Sequence, residues 1–201
     1  MKRAVFLVFI LLFSFSYGSV LTELQKKLSS VSSIEASFKQ RTYMEDLEQP
    51  EEFEGRLFIT KPATIKIIYE KPIKQIYFLQ DNQLIIYTPE EKQAIKSQLS
   101  DQFFLLKLFR AFATEKGLEK LFNVIHEEQK GDFIDVVLNV KGKSKIKKVE
   151  MLIKKPLEIE QIFVWDEEGN RMELVFYDLR YKKEPIKLYI NIPEDVEIIE
   201  Y

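Results

Sequence analysis

No cysteine occurs in the 201 residues. Without disulfides an exported protein relies on its core alone for stability, and without a thiol it has no attachment point for a lipid anchor. Histidine is nearly missing too, His126 being the only one. One imidazole without cysteine does not complete a zinc site, and no other ligand cluster has metal-binding spacing, so His126 reads as an ordinary strand residue. The six glycines form no phosphate-cradling loop, and nucleophile elbows and HExxH helices are absent. The pairs Glu51-Glu52, Glu127-Glu128 and Glu167-Glu168 sit beside turns and read as solvated. A glycosidase pair, assembled only by folding, stays open as an alternative. Charge of one sign is lacking as well: 30 basic residues face 32 acidic ones for a net charge of -2, which gives no general pull toward nucleic acid. No catalytic residue, cofactor or metal site is expected.

What is present is apolar. Hydrophobic residues make up 46% of the chain and aromatic ones 13%, enough for a sizeable core in one domain. At the amino terminus Lys2 and Arg3 precede the apolar run Ala4 to Phe15, with small residues at Ser16 and Gly18. That pattern reads as a signal peptide, residues 1–18, cleaved to leave one domain over 19–201 in the periplasm. The run is short for a membrane span, which takes about 20 residues.

Val20 to Val31 reads as an amphipathic helix, with Leu21, Leu24 and Leu28 on one side and Glu23, Gln25, Lys26 and Lys27 on the other. Ile34, Ala36 and Phe38 then alternate with polar residues as a strand. Tyr43 to Glu52 reads as a loop. From Gly55 to Pro89 four strands are separated by Lys61-Pro62, Lys71-Pro72 and Asp81-Asn82, turn chemistry that specifies an antiparallel meander. A strand at Gln93 to Gln98 precedes a helix from Asp101 to Ala113, capped by Ser100, and a shorter helix from Glu115 to Leu121. Strands follow at Phe122 to Glu128, Phe133 to Val140, Ile146 to Lys154, Leu157 to Trp165, Met172 to Tyr181 and Leu188 to Ile190. The fold class is mainly β (α+β): an incomplete, strongly curved antiparallel barrel of about eleven strands closed by about three helices.

The anomaly is apolar surplus. Leu57, Ile59, Ile65, Ile67 and Tyr69 share one parity within their strands, as do Val149, Met151 and Ile153, and these residues define the concave face. The helix carrying Phe103, Phe104, Leu106, Phe109 and Phe112 has Lys107 and Arg110 as its only polar interior residues, so it must be buried on more than one side. Two readings compete. The helix plugs the sheet as packed core, or it is a lid over an apolar cavity.

Several motifs resemble the LolA family, periplasmic carriers of outer-membrane lipoproteins. They are the stretch Val31 to Gln40 (VSSIEASFKQ); Gly55, Leu57, Ile59, Lys61 and Pro62; Ile67, Tyr69 and Pro72; Gln75, Ile76, Asp81, Asn82, Leu84, Tyr87 and Pro89; and the closing Ile192 to Ile198. The resemblance is strongest over residues 20–100. It implies a half-barrel whose apolar interior, lined by the eight concave-face residues above, takes up acyl chains beneath the Phe-rich lid. It further implies a monomer that receives acylated lipoproteins from an inner-membrane releasing ABC transporter and delivers them to an outer-membrane acceptor such as LolB. LolB itself needs an acylated cysteine, which this chain lacks, so the carrier is the better match. Two positions depart from the family pattern: Lys61 stands where carriers have a gating arginine, and Ile65 where a cavity aromatic is common. A binder of free lipid or isoprenoid and a lipoprotein-sensing stress-regulatory module remain as alternatives.

Overall fold

The computed structural model describes residues 19–201, so the expected leader, residues 1–18, lies outside the described residues. Its elements run α1 (Val20–Ser29), β1 (Ser33–Tyr43), β2 (Glu51–Thr60), β3 (Thr64–Lys71), β4 (Gln75–Gln80), β5 (Gln83–Thr88), β6 (Gln93–Gln98), α2 (Phe104–Ala113), α3 (Gly117–Leu121), β7 (Phe122–Lys130), β8 (Phe133–Val140), β9 (Ile146–Lys154), β10 (Glu158–Asp166), β11 (Arg171–Lys182) and β12 (Glu197–Glu200). All the strands form one curled, open sheet of twelve, in the order β12-β6-β5-β4-β3-β2-β1-β11-β10-β9-β8-β7.

That order explains where the helices lie. Two antiparallel meanders, β1 to β6 and β7 to β11, are joined edge to edge where β1 pairs with β11. The chain leaves the first meander at β6 and enters the second at β7, on the opposite edge of the sheet. The connection therefore spans the sheet, and its apolar residues find burial only on the concave side. Within it α2 packs against β2 and β3 and against α3, while α1 packs against both α2 and α3. The hairpins use the turn residues the sequence supplies: Asp81 (φ 56°) leads β4 into β5, and Gly131 (φ 63°) leads β7 into β8.

Four boundaries differ from the sequence reading. The expected loop Tyr43 to Glu52 is shorter, because β1 runs through Tyr43 and β2 starts at Glu51. Helix α2 begins at Phe104 rather than Asp101, since the Ser100 carbonyl accepts from the Phe103 amide in a preceding turn and the Asp101 carboxylate bonds Lys107. Helix α3 starts at Gly117, after Lys116 in the left-handed region. Finally, Leu188 to Ile190 pairs with no strand. This segment crosses the convex face instead, where Lys66 donates to the Tyr189 carbonyl (2.9 Å) and Ile190 and Ile192 pack near Tyr87 and Ala94. The chain then returns as β12, parallel to β6.

Candidate functional site

Strand register places the concave-face residues in rows that cross the sheet. One row is Ile34, Ile59, Ile65, Leu79 and Leu84; the next is Ala36, Leu57, Ile67, Tyr77 and Ile86. In the second meander Leu174, Ile162, Met151 and Val136 lie side by side, with Val149 and Ile153 flanking Met151 on β9. All eight residues proposed from the sequence as cavity lining thus lie on one face. Seven of them are fully buried, and Tyr69 is partly so.

The helices fill this concavity. Phe104, Leu106, Phe109 and Phe112 of α2 are buried in the same cluster as the sheet residues, and Phe103 packs at its margin. The Phe109 ring lies edge-on to Phe176 at 6.3 Å, and Phe104 edge-on to Phe122 at 6.4 Å. Between Phe112, Leu28, Ile34 and Leu57 the remaining void is about 10 Å³, the volume of one water-sized sphere. An alkyl chain does not fit that void unless the helices move.

The helical cover is tied together by a residue that the sequence reading put on the solvent side. Gln25 is buried, not exposed. Its Nε2 donates to the Thr114 carbonyl at the end of α2 (3.3 Å), and its Oε1 accepts from the Leu118 amide in α3 (2.7 Å). The signal was in the spacing: Gln25 falls four residues after Leu21 and three before Leu28, inside the apolar stripe. A second surprise is Glu127. Rather than being solvated, its carboxylate accepts from the Val20 amide (3.2 Å) and the Ser19 hydroxyl (2.6 Å), favourable at a helix N-terminus.

The hydrogen bond of Lys61 goes to α1. Its ammonium donates to the Ser29 carbonyl (2.6 Å) at the last turn of α1, and burial lowers its pKa below the usual lysine value. Lys61 also borders a small gap lined by Phe112 and Ala113 of α2. His126 is exposed on β7, 3.9 Å from Glu128. Among the described residues no group of three His, Asp or Glu is placed to hold a metal ion.

Beyond α2 the concave face changes character. The next row is Phe38, Gly55, Tyr69 and Gln75, followed by Gln40 beside Phe53. Gly55 is required here: a Cβ would lie 2.4 Å from the Ile68 carbonyl oxygen and 2.9 Å from the Phe38 ring. Gln40, Phe53, Tyr69, Gln75 and Tyr77 surround an open pocket of about 290 Å³ with Pro72 and Ile73 at its rim. Tyr69 is edge-on to Phe38, Phe53 and Tyr77, with centroids at 5.5, 5.7 and 5.5 Å. Its hydroxyl donates to Gln40 Oε1 (3.1 Å), and burial, reinforced by Tyr77, pushes its pKa far above the phenol range. A larger groove, about 530 Å³, is bordered by Arg41, Glu52, Glu54 and Lys71. Those charges neutralise one another, Arg41 with Glu52 (2.8 Å) and Lys71 with Glu54 (2.9 Å), as on an ordinary solvated surface.

A curled, open antiparallel sheet that holds an apolar helix across its concave face defines the half-barrel class. Within that class, the family model "Outer membrane lipoprotein carrier protein LolA" matches residues 29–187, and the chain belongs to the LolA family. It is 28% identical to an outer-membrane lipoprotein carrier protein of Wolinella succinogenes, over 73% of this chain and 73% of that one. A protein of the same description from Helicobacter hepaticus is 27% identical, over 61% of this chain and 73% of its own length. Among solved structures, an uncharacterized conserved protein from Thermus thermophilus superposes with a TM-score of 0.55 at 13% identity, covering 90% of this chain and 97% of that one, which shows likeness of fold. No helix among the described residues is long and apolar enough to cross a membrane.

Proposed function

We propose that this protein is a periplasmic carrier that shelters the acyl chains of lipoproteins between inner and outer membranes. In this role it loads at an inner-membrane releasing ABC transporter and unloads at an outer-membrane acceptor, LolB-like where one exists. The observation that carries the reading is the relation of α2 to the sheet: an apolar helix, on a connection that spans the sheet, covers a continuous apolar face. Family membership and the names of the two relatives support the cargo class. The acyl chains take the place of α2 on Leu57, Ile59, Ile65, Ile67, Tyr69, Val149, Met151 and Ile153, and Lys61 steadies α1 while α2 swings.

Magnitudes make such an exchange reversible. Burying one Leu or Phe is worth about 1.5–3 kcal/mol, so lifting Phe104, Leu106, Leu108, Phe109 and Phe112 costs on the order of 10 kcal/mol. A sixteen-carbon chain removed from water gains about 12 kcal/mol, of the same order. The lid offsets most of the gain from the first chain, and release of the others relies on handing them directly to an acceptor rather than into water.

Because the chain lacks cysteine, introduced ones label uniquely. Nitroxides at Lys107→Cys on α2 and Lys66→Cys on β3 should move apart when a triacylated lipopeptide is added. An unchanged distance at saturation eliminates the lid. Mass spectrometry of periplasmically expressed protein should reveal a lipid-modified polypeptide; a free lipid in its place would favour a small-lipid binder.

A further inference from the structure

The carrier reading uses the apolar rows of the concave face and leaves the pocket at their polar end without a role. This pocket is open, adjoins the apolar interior through Phe38 and Tyr69, and has no charged side chain in its lining, although 31% of the chain is charged. Its polar groups are already oriented. The Tyr69 hydroxyl occupies Gln40 Oε1 at 3.1 Å, and the Tyr77 hydroxyl occupies Gln75 Oε1 at 3.4 Å. Gln40 Nε2 gives one hydrogen to Thr42 Oγ1 (3.1 Å), and Gln75 Nε2 gives one to Thr88 Oγ1 (3.2 Å). A carboxamide nitrogen carries two hydrogens, so each glutamine keeps one N–H for a ligand while its oxygen is already engaged. The pocket therefore offers donors, in a neutral aromatic setting, at the place where a chain lying on the apolar rows would emerge.

We propose that this pocket holds the neutral neck of a multiply acylated molecule, with Gln40 and Gln75 donating to its glyceryl ester carbonyl oxygens. The proposal rests on the carrier reading and adds a selectivity to it. A phosphate or carboxylate head seated here would lose hydration without gaining a cation, whereas a carbonyl needs only a donor. The selectivity is thus for a carbonyl-bearing neck over an ether or alkyl one. Ile73 at the rim is an exposed apolar residue on the β3–β4 hairpin, placed to touch the first methylenes.

The test pairs two ligands that differ only in carbonyls: a peptide bearing tripalmitoylated S-glyceryl-cysteine, and its analogue with ether-linked glyceryl chains. Wild-type protein should bind the ester form roughly tenfold tighter, the ratio expected for one or two hydrogen bonds. Gln40→Met and Gln75→Met keep roughly each side chain's length and neutrality but remove the donor. In the double variant the two ligands should bind equally. Gln75→Met, at the less buried position, should halve the preference or more and serves if the double variant does not fold. Wild-type protein without an ester preference, or variants that retain it, would overturn the proposal. Failure of wild-type protein to bind either ligand would instead bring down the carrier reading itself.

Discussion

At the scale of single residues the most consequential side chain is a glutamine. Gln25 reaches from α1 to the end of α2 and the start of α3, so one amide holds three helices to one another. Gln25→Leu keeps the volume but leaves the Leu118 amide buried without a partner, while the Thr114 carbonyl retains only the Gly117 amide. The expected cost is about 1–3 kcal/mol, read as a lower melting temperature with faster hydrogen exchange at Leu118. Unaltered protection of that amide would show that the helices hold together without Gln25. This residue also marks where legibility in the sequence ended. Leu21, Leu24 and Leu28 identified the buried stripe correctly, but a polar side chain within it was assigned to water, because its partners lie 89 and 93 positions away. Amphipathic patterning registers hydrophobicity and is blind to a buried amide satisfied by distant backbone. The same limit hid Glu127, whose partners Ser19 and Val20 are equally remote in sequence.

At the scale of elements, the eight concave-face residues named from the sequence do share one face, since period-two alternation fixes which side each takes, whereas Leu79, Leu84, Ile162 and Leu174 of the same rows were not singled out as lining. The start of α2 was not legible. Ser100 resembles a cap, yet the Asp101 carboxylate bonds Lys107 and the helix proper begins three residues later. That bond sets a pH limit for the lid. The hydrogen bond from Lys107, and then its charge, hold the Asp101 carboxyl below its ordinary pKa of 3.8. A carboxyl lowered in the folded state contributes fully above its unfolded value and is lost as pH falls through its folded one. The tether at the root of α2 should therefore persist unchanged from neutral pH to about pH 5 and loosen only in stronger acid, below about pH 4. The distance between nitroxides at Leu105→Cys on α2 and Lys66→Cys on β3, which leaves both Asp101 and Lys107 in place, followed against pH in unloaded protein, checks this; a transition near pH 6 would assign control of α2 to some other group. Arg110, which donates to Asn82 Oδ1 at 3.3 Å, ties the far side of α2 to the β4–β5 hairpin.

For the whole molecule, the sheet order decides what kind of device the fold is. Because β6 and β7 occupy opposite halves of one open sheet, their connection covers the concave face, and the cover belongs to the same chain as the surface it protects. Turn residues and alternation pointed to the two meanders, but not to their junction through β1 and β11, nor to β12 alongside β6, because those pairings join segments far apart in sequence. A cover that packs well when empty imposes a threshold on the cargo. Lifting α2 costs on the order of 10 kcal/mol, and a single sixteen-carbon chain returns about 12, which leaves little after the entropy of association. Two or three chains on one cargo share a single lid opening, so each chain after the first contributes most of its transfer energy. Affinity should accordingly climb far more steeply between one chain and two than between closed and lid-weakened forms of the protein. Titrating mono-, di- and tripalmitoylated versions of one peptide should give negligible binding for the first and at least a hundredfold gain at the second chain. Phe109→Ala, which removes about 3–5 kcal/mol of packing from the closed lid, should bring the monoacylated peptide into measurable range. Equal affinity for all three peptides would mean that the chains bind without displacing α2.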